Sequence, residues 1–267
     1  MSMEYQDILF EVRDRVATIT LNRPRVMNAF RARTCEELVD AFGRAGYDPE
    51  VGAVVLTGAG NRAFCTGGDQ SDHDGSYGGS RGVIGMPIDE VHTAIRDIPK
   101  PVVAVVRGYA IGGGNVLATV CDLTLAAESA VFGQVGPRMG SVDPGFGTAY
   151  LARVVGEKRA REMWFLCRRY TAREALAMGL VNAVVPDEEL DGEVDRWCAE
   201  LVARSPTAIA LAKRSLNADS ESIRGIGGLG FAALALYYQT EESREGVAAL
   251  REKREPDFRA AARRDRR

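Results

Sequence analysis

Two stretches of this chain carry an apolar, β-branched run into closely spaced glycines. They are residues 54–69, VVLTGAGNRAFCTGGD, and residues 102–115, VVAVVRGYAIGGGN. Glycine lets a backbone turn sharply and lets a ligand approach closely. A glycine turn that opens a helix also leaves N–H groups without acceptors at the positive end of the helix dipole. If the two strands are neighbours, the Gly68 and Gly113 N–H groups point at one oxygen. Two preorganised donors of that kind form an oxyanion hole. The same glycines also suit close packing of a strand on a helix, and both readings stand at this level. A third stretch, Gly133–Gly147 (GQVGPRMGSVDPGFG), reads as a loop carrying Ser141 and Asp143, with Pro144-Gly145 setting a turn. Asp143 there is either a proton carrier or a turn terminator.

The elements that position these groups follow from periodicity. Ile8–Arg13 and Val16–Leu21 read as a hairpin across Asp14-Arg15. Thr34 is expected to cap a helix running to Tyr47, with Cys35, Leu38, Val39 and Phe42 on its inner face. Buried strands are expected at Val51–Thr57 and Val102–Val106, and a buried helix from Asn115. Ser71–Gly85 is a polar loop, solvated or lid-like, holding His73, Asp74 and Tyr77. Pro87–Ile98 is helical, and His92 in it reads as structural. Short strands at Leu123–Ala126 and Ala130–Phe132 lead to helices at Thr148–Val155, Glu157–Cys167, Ala172–Met178, Asp187–Ser205 and Pro206–Asn217. Phe231–Tyr238 is apolar almost all round and must be buried, in the core or against another subunit. Arg251–Arg267 reads as a charged, peripheral tail. Strands with interspersed helices, then helices alone, predict an α/β core over residues 1–205 and a helical part over residues 206–267.

Composition narrows the function. The 267 residues carry a net charge of −3 and no broad basic face, so nucleic acid is not an expected partner. The five cysteines form no CxxC pair and read as reduced core thiols of a cytoplasmic protein. No secretory leader or membrane span is expected, and two histidines without a cysteine cluster predict no metal site. Gly58–Ala63 fits a dinucleotide-binding fingerprint, but the residues after it form no amphipathic helix, so no nicotinamide or flavin cofactor is expected.

The chain resembles the crotonase (enoyl-CoA hydratase/isomerase) superfamily. The resemblance rests on Asn22-Arg23-Pro24 with Asn28-Ala29, on Ala63–Asp69, Gly112–Gly114, Cys121-Asp122, Phe132-Gly133-Gln134 and Ala177–Val181. It implies a ClpP-like spiral of ββα units, a C-terminal helical trimerisation region, a homotrimer or dimer of trimers, and an acyl-CoA substrate. CoA is part of that substrate, and no separate cofactor is implied. Gly68 and Gly113 match the family donors that polarise the thioester carbonyl and stabilise its enolate. The two positions where hydratases carry glutamates hold Val116 and Gly136, which cannot transfer a proton.

Within the superfamily the chain is similar to enzymes that act on the C–C bond of β-keto acyl-CoAs. Residues 66–70, 140–143, Trp164 and 238–242 look like 1,4-dihydroxy-2-naphthoyl-CoA synthases. Asn115, Val135 and Pro144 depart from them and look like 2-ketocyclohexanecarboxyl-CoA hydrolases, which open a ring during anaerobic benzoate degradation. The resemblance implies Asp143 as proton carrier, positioned by Ser141, with Tyr77 and Tyr238 donating to the ring ketone and His73 as a rival base. It places Thr66, Asp69 and Gln70 beside the substrate. Gln134 and Trp164 match a bicarbonate pocket, expected here to hold water or a substrate oxygen. Arg25 and Lys253 match positions near the nucleotide.

Overall fold

A computed structural model describes residues 4–71, 77 and 80–265. The elements in chain order are β1 (Ile8–Arg13), β2 (Val16–Leu21), α1 (Ala32–Tyr47), β3 (Ala53–Gly58), β4 (Ala63–Cys65), α2 (Ile88–Asp97), β5 (Val102–Val106) and β6 (Tyr109–Ile111). Then come α3 (Gly113–Val120), β7 (Leu123–Ala127), β8 (Val131–Gly133), α4 (Gly136–Met139), α5 (Leu151–Val155), α6 (Glu157–Leu166), β9 (Arg169–Thr171), α7 (Ala172–Ala177) and β10 (Ala183–Val185). The helices α8 (Leu190–Val202), α9 (Pro206–Ala218), α10 (Ser222–Tyr237), α11 (Glu241–Glu252) and α12 (Phe258–Arg264) complete the chain.

The first hairpin forms as read. Asp14 and Arg15 both adopt positive φ, the turn geometry that matches the twist of the strands it joins. Thereafter each pass of the chain leaves one strand in each of two sheets. The larger sheet runs β1-β2-β3-β5-β7-β10, parallel throughout except for the hairpin, and the smaller runs β4-β6-β8-β9. The two sheets and the helices between their strands form the α/β core, followed by a helical C-terminal part, that the sequence predicts.

The period of two along β5 explains its continuous apolar run. Val102, Ala104 and Val106 face the main core with Leu117 of α3, while Val103 and Val105 face a second layer closed by Leu190, Val194 and Cys198 of α8. Both faces are covered, so no polar position interrupts the strand. The C-terminal helices join the same core: Ile223, Phe231, Leu234 and Tyr238 lie in it. Leu229 and Leu236 on α10 are exposed, so its all-round apolar character is not all buried in one protomer. Among the described residues no helix is long and apolar enough to cross a membrane.

Three local expectations change. α1 begins at Ala32, with Arg31 in the capping position, because buried Asp7 draws Thr34 into its third turn position. The Thr34 hydroxyl donates to Asp7 at 2.7 Å and accepts from the Arg31 N–H at 3.1 Å. The 133–147 stretch is not all loop, since it contains α4, closed by Gly140 in the left-handed conformation. The C-terminal tail is not peripheral: α12 packs on α11, and residues 253–256 reach the cleft described below.

Lys213 is the one buried residue of α9. Its ammonium donates to the Ile95 carbonyl (2.8 Å), the Lys100 carbonyl (2.9 Å) and the Asp122 carboxylate (2.7 Å). Burial pushes the Asp122 pKa up, against the pull of Lys213 and of the Val102 N–H. Removing one partner of such a pair strands the other charge. Lys213 is buried but Asp122 keeps 27% of its side chain exposed, so Lys213→Met, which deprives two carbonyls and a partly solvated carboxylate of their donor, is expected to lower unfolding free energy by about 1–3 kcal/mol. The double variant Lys213→Met/Asp122→Asn should recover a large part, as read from urea unfolding midpoints.

Candidate active site

The Gly68 turn is built by one parallel bridge to Phe30. The Phe30 N–H donates to Gly67 O at 2.9 Å, and the Asp69 N–H donates to Phe30 O at 2.8 Å. In an extended segment the intervening residue must turn its own peptide groups the other way. The Gly68 carbonyl accordingly accepts from Gln70 Nε2 at 3.1 Å, and among the described residues its N–H meets no acceptor. Gly113 is the first residue of α3, and its N–H is likewise without an acceptor among the described residues.

The two turns touch. A Cβ on Gly67 would lie 2.9 Å from Gly113 N, and one on Gly113 would lie 2.6 Å from the Phe30 ring. Gly112, just before, has a φ of 58°, so the entry to α3 is in the left-handed region. Both donor glycines line a cleft of about 980 Å³. Two unpartnered N–H groups on one wall, one of them at a helix N-terminus, can stabilise negative charge on an oxygen. Gly113→Ala should overpack against Phe30, costing about 1–3 kcal/mol of stability and a hundredfold or more in turnover, measurable by thermal melts and kcat.

Asp143 lines the same cleft, with its carboxylate accepting from the Gly147 N–H at 3.2 Å. Burial raises its pKa to about 7, an effect the single N–H bond does not offset and the negative charge of Asp89 adds to. Contrary to the sequence expectation, Ser141 does not position Asp143. Its hydroxyl shares a 2.7 Å hydrogen bond with the Tyr238 hydroxyl, because α10 brings Tyr238 directly over the loop. Tyr238 is in turn hydrogen-bonded to Tyr77, their rings edge to face at 6.0 Å. Gln70 Nε2 donates to the Tyr77 hydroxyl at 2.8 Å. A chain of hydroxyls thus runs from Ser141 through Tyr238 and Tyr77 to Gln70 and the Gly68 carbonyl. Burial raises the pKa of both tyrosines, so they stay protonated as donors.

The remaining expected positions fall into distinct groups. Thr66, Asp69, Gln70, Gln134, Trp164 and Lys253 all line the cleft. Asp69, however, is taken up by Arg23 (2.8 Å) and by the Ser71 N–H and hydroxyl. Although burial acts to raise its pKa, the Ser71 and Arg23 bonds outweigh it and hold the carboxyl below the usual range. Thr66 donates to Met27 O at 3.3 Å, and the Trp164 indole N–H donates to Gly147 O at 2.5 Å. Gln134 is buried, and among the described residues its amide has no partner. Arg25 is exposed on the turn after Asn22-Arg23 and does not reach the cleft wall, although Val26 and Met27 do. His73 lies outside the described residues. Val116 is fully buried behind the cleft, and a Cβ on Gly136 would lie 2.5 Å from Ser141 O and 2.7 Å from the Trp164 ring. A glutamate has no room at position 136, and the valine at position 116 offers no group that transfers a proton.

The enoyl-CoA hydratase/isomerase family model matches residues 11–261. The chain belongs to that family. Among solved structures it is similar to an enoyl-CoA hydratase from Mycobacterium avium subsp. paratuberculosis K-10, at 33% identity and a TM-score of 0.85 over 96% of this chain and 99% of that one. It is also similar to an enoyl-CoA hydratase/isomerase from Pseudoalteromonas atlantica T6c, at 28% identity and a TM-score of 0.85 over 95% of this chain and 100% of that one. In this member of the family a carboxyl whose pKa burial raises to about 7, that of Asp143, lines the same cleft as the two donors.

Such a carboxyl weakens the fold when it ionises. Unfolded, Asp143 loses its proton near pH 4; folded, near pH 7. The native state therefore loses stability relative to the unfolded chain as pH rises through that window, and no more above it. Asp143→Asn escapes this cost. It should be more stable than the parent by up to about 4 kcal/mol above pH 7 and indistinguishable below pH 4. Urea titrations across that range measure the difference.

Proposed function

We propose that this enzyme hydrolyses the C–C bond of a cyclic β-keto acyl-CoA, opening the ring, with 2-ketocyclohexanecarboxyl-CoA as the lead substrate and pimeloyl-CoA as product. The observation that carries the reading is the placement of Asp143. One half-buried carboxyl of near-neutral pKa shares the cleft with two acceptor-free N–H groups and a chain of three hydroxyls. The cramped surroundings of Gly136 and the apolar side chain of Val116 disfavour the two-glutamate chemistry of simple hydration.

The thioester oxygen sits on the Gly68 and Gly113 N–H groups. The Tyr238 and Tyr77 hydroxyls, with Ser141 behind them, hold the ring ketone oxygen. Asp143 takes a proton from water as the water oxygen adds to the ketone carbon. The resulting alkoxide collapses to a carboxyl group, and the bond from that carbon to the α-carbon breaks. Its electron pair passes to the thioester as an enolate, whose charge the two N–H groups stabilise. One such donor contributes about 3–4 kcal/mol of barrier lowering, so this is the largest effect available. Protonated Asp143 returns its proton to the α-carbon. The net change is the uptake of one water.

The base must be ionised to begin. With its pKa raised to about 7, kcat/KM should climb through neutrality and fall about tenfold per pH unit below pH 6. Mass spectrometry of the products from 2-ketocyclohexanecarboxyl-CoA tests the reaction itself. Gain of one water with CoA still attached supports ring opening. Free CoA with an intact ring acid, or turnover of o-succinylbenzoyl-CoA in its place, overturns it in favour of a thioesterase or a ring-closing synthase. Asp143→Asn should lose at least a hundredfold in kcat, and Tyr238→Phe should lose about tenfold by removing one hydrogen bond.

A further inference from the structure

Arg23 does not line the cleft, yet it is the cation nearest the construction of the Gly68 turn. One guanidinium nitrogen donates to Ala29 O at 2.5 Å. The other donates to the Asp69 carboxylate at 2.8 Å. Ala29 precedes Phe30, and Asp69 follows Gly68, so the guanidinium fastens both strands of the Phe30–Gly68 bridge from one side. The Arg23 side chain is 17% exposed and Asp69 8%, so water does not substitute for the contact. Asp7, itself held by Arg31 (2.8 and 2.9 Å) and Thr34, lies 3.8 Å from Arg23 Nε and fixes it from behind. Phe30, the residue between these clamps, also packs its ring against Gly113.

From this arrangement we infer that Arg23 is a positioning residue for the oxyanion hole: it sets the direction of the Gly68 N–H by locking the bridge that forces that N–H into the cleft. The inference rests on the proposed role of Gly68 and Gly113, but not on the identity of the substrate ring. The planar fork gives each acceptor its own nitrogen, Nη1 for the Ala29 carbonyl and Nη2 for the Asp69 carboxylate, a fixed pairing that a freely rotating ammonium holds less well. A donor that is turned rather than deleted loses part of its effect, so the expected loss is smaller than for a removed donor.

The test uses the full-length protein and two readouts. The first is the infrared C=O stretch of a carbon-13-labelled, non-reacting saturated acyl-CoA bound to the enzyme, which reports how strongly the thioester carbonyl is hydrogen-bonded. The second is kcat against KM. Arg23→Met should lower kcat about 10- to 100-fold with KM changed less than threefold, and should return the carbonyl band at least halfway towards its position in water. Arg23→Lys should fall between parent and Arg23→Met in both. Asp69→Asn, which keeps the shape of the loop, should reproduce the band shift and decides the matter if Arg23→Met fails to fold. A carbonyl band unmoved in bound Arg23→Met or Asp69→Asn overturns the inference. So does a loss appearing in KM alone. If the parent enzyme itself shows no carbonyl shift on binding, the role of Gly68 fails rather than that of Arg23. If the band shifts in the parent but no ring opens, the substrate assignment fails and the Arg23 result still stands.

Discussion

Two backbone donors can serve one oxygen only if both are denied acceptors of their own and are held against each other. Ordinary secondary structure works against this, because a buried N–H without a partner is costly. Here two regular devices meet the constraint. A single parallel bridge to Phe30 uses the peptide groups on either side of Gly68 and leaves its N–H facing the cleft. The first turn of α3 leaves the Gly113 N–H free as every helix start does. Contact between the turns, with no room for a Cβ at Gly67 or Gly113, supplies the closeness.

The rest of the molecule answers to that arrangement. The parallel order of β3, β5 and β7, together with the smaller sheet, delivers successive strand ends to the same side. α10 then returns across the cleft and closes a hydroxyl chain from Ser141 to Gln70. The two donors, the hydroxyl chain and the Asp143 carboxyl thus share one cleft. Desolvation lets the Asp143 carboxyl keep its proton to near neutrality, which suits it both to accept a proton and to return one.

What was legible in the sequence was whatever depends on local pattern. The hairpin at Asp14-Arg15 and the buried run of β5 both follow from residues near one another in the chain. The donor glycines were legible too, since strand and turn lie within a dozen residues. Side-chain partnerships across the fold were not. Ser141 was paired in expectation with its near neighbour Asp143, but the available hydroxyl comes from Tyr238, 97 positions away. Thr34 has a good capping chemistry but sits at the third position of α1 behind Arg31, with its hydroxyl turned to Asp7, whose burial no local pattern reveals. Arg23 sits in a motif that the family resemblance highlighted, yet its task depends on where Ala29 and Asp69 meet. The tail was misplaced because charge alone reads as solvated surface, while residues 253–256 arch back over the cleft.

The helix α9 inverts the usual amphipathic rule: Leu211 and Leu216 point outward, and a lysine points in. An apolar stripe tolerates sliding, since one hydrocarbon contact resembles the next. A cation seated among three oxygens does not. Advancing α9 by a single residue would carry Lys213 about 1.5 Å along the axis and rotate it by roughly 100°, out of its socket. The helix is therefore keyed rather than merely adhered. One docking pose satisfies the charge, and a neighbouring pose leaves the three socket oxygens without their cation.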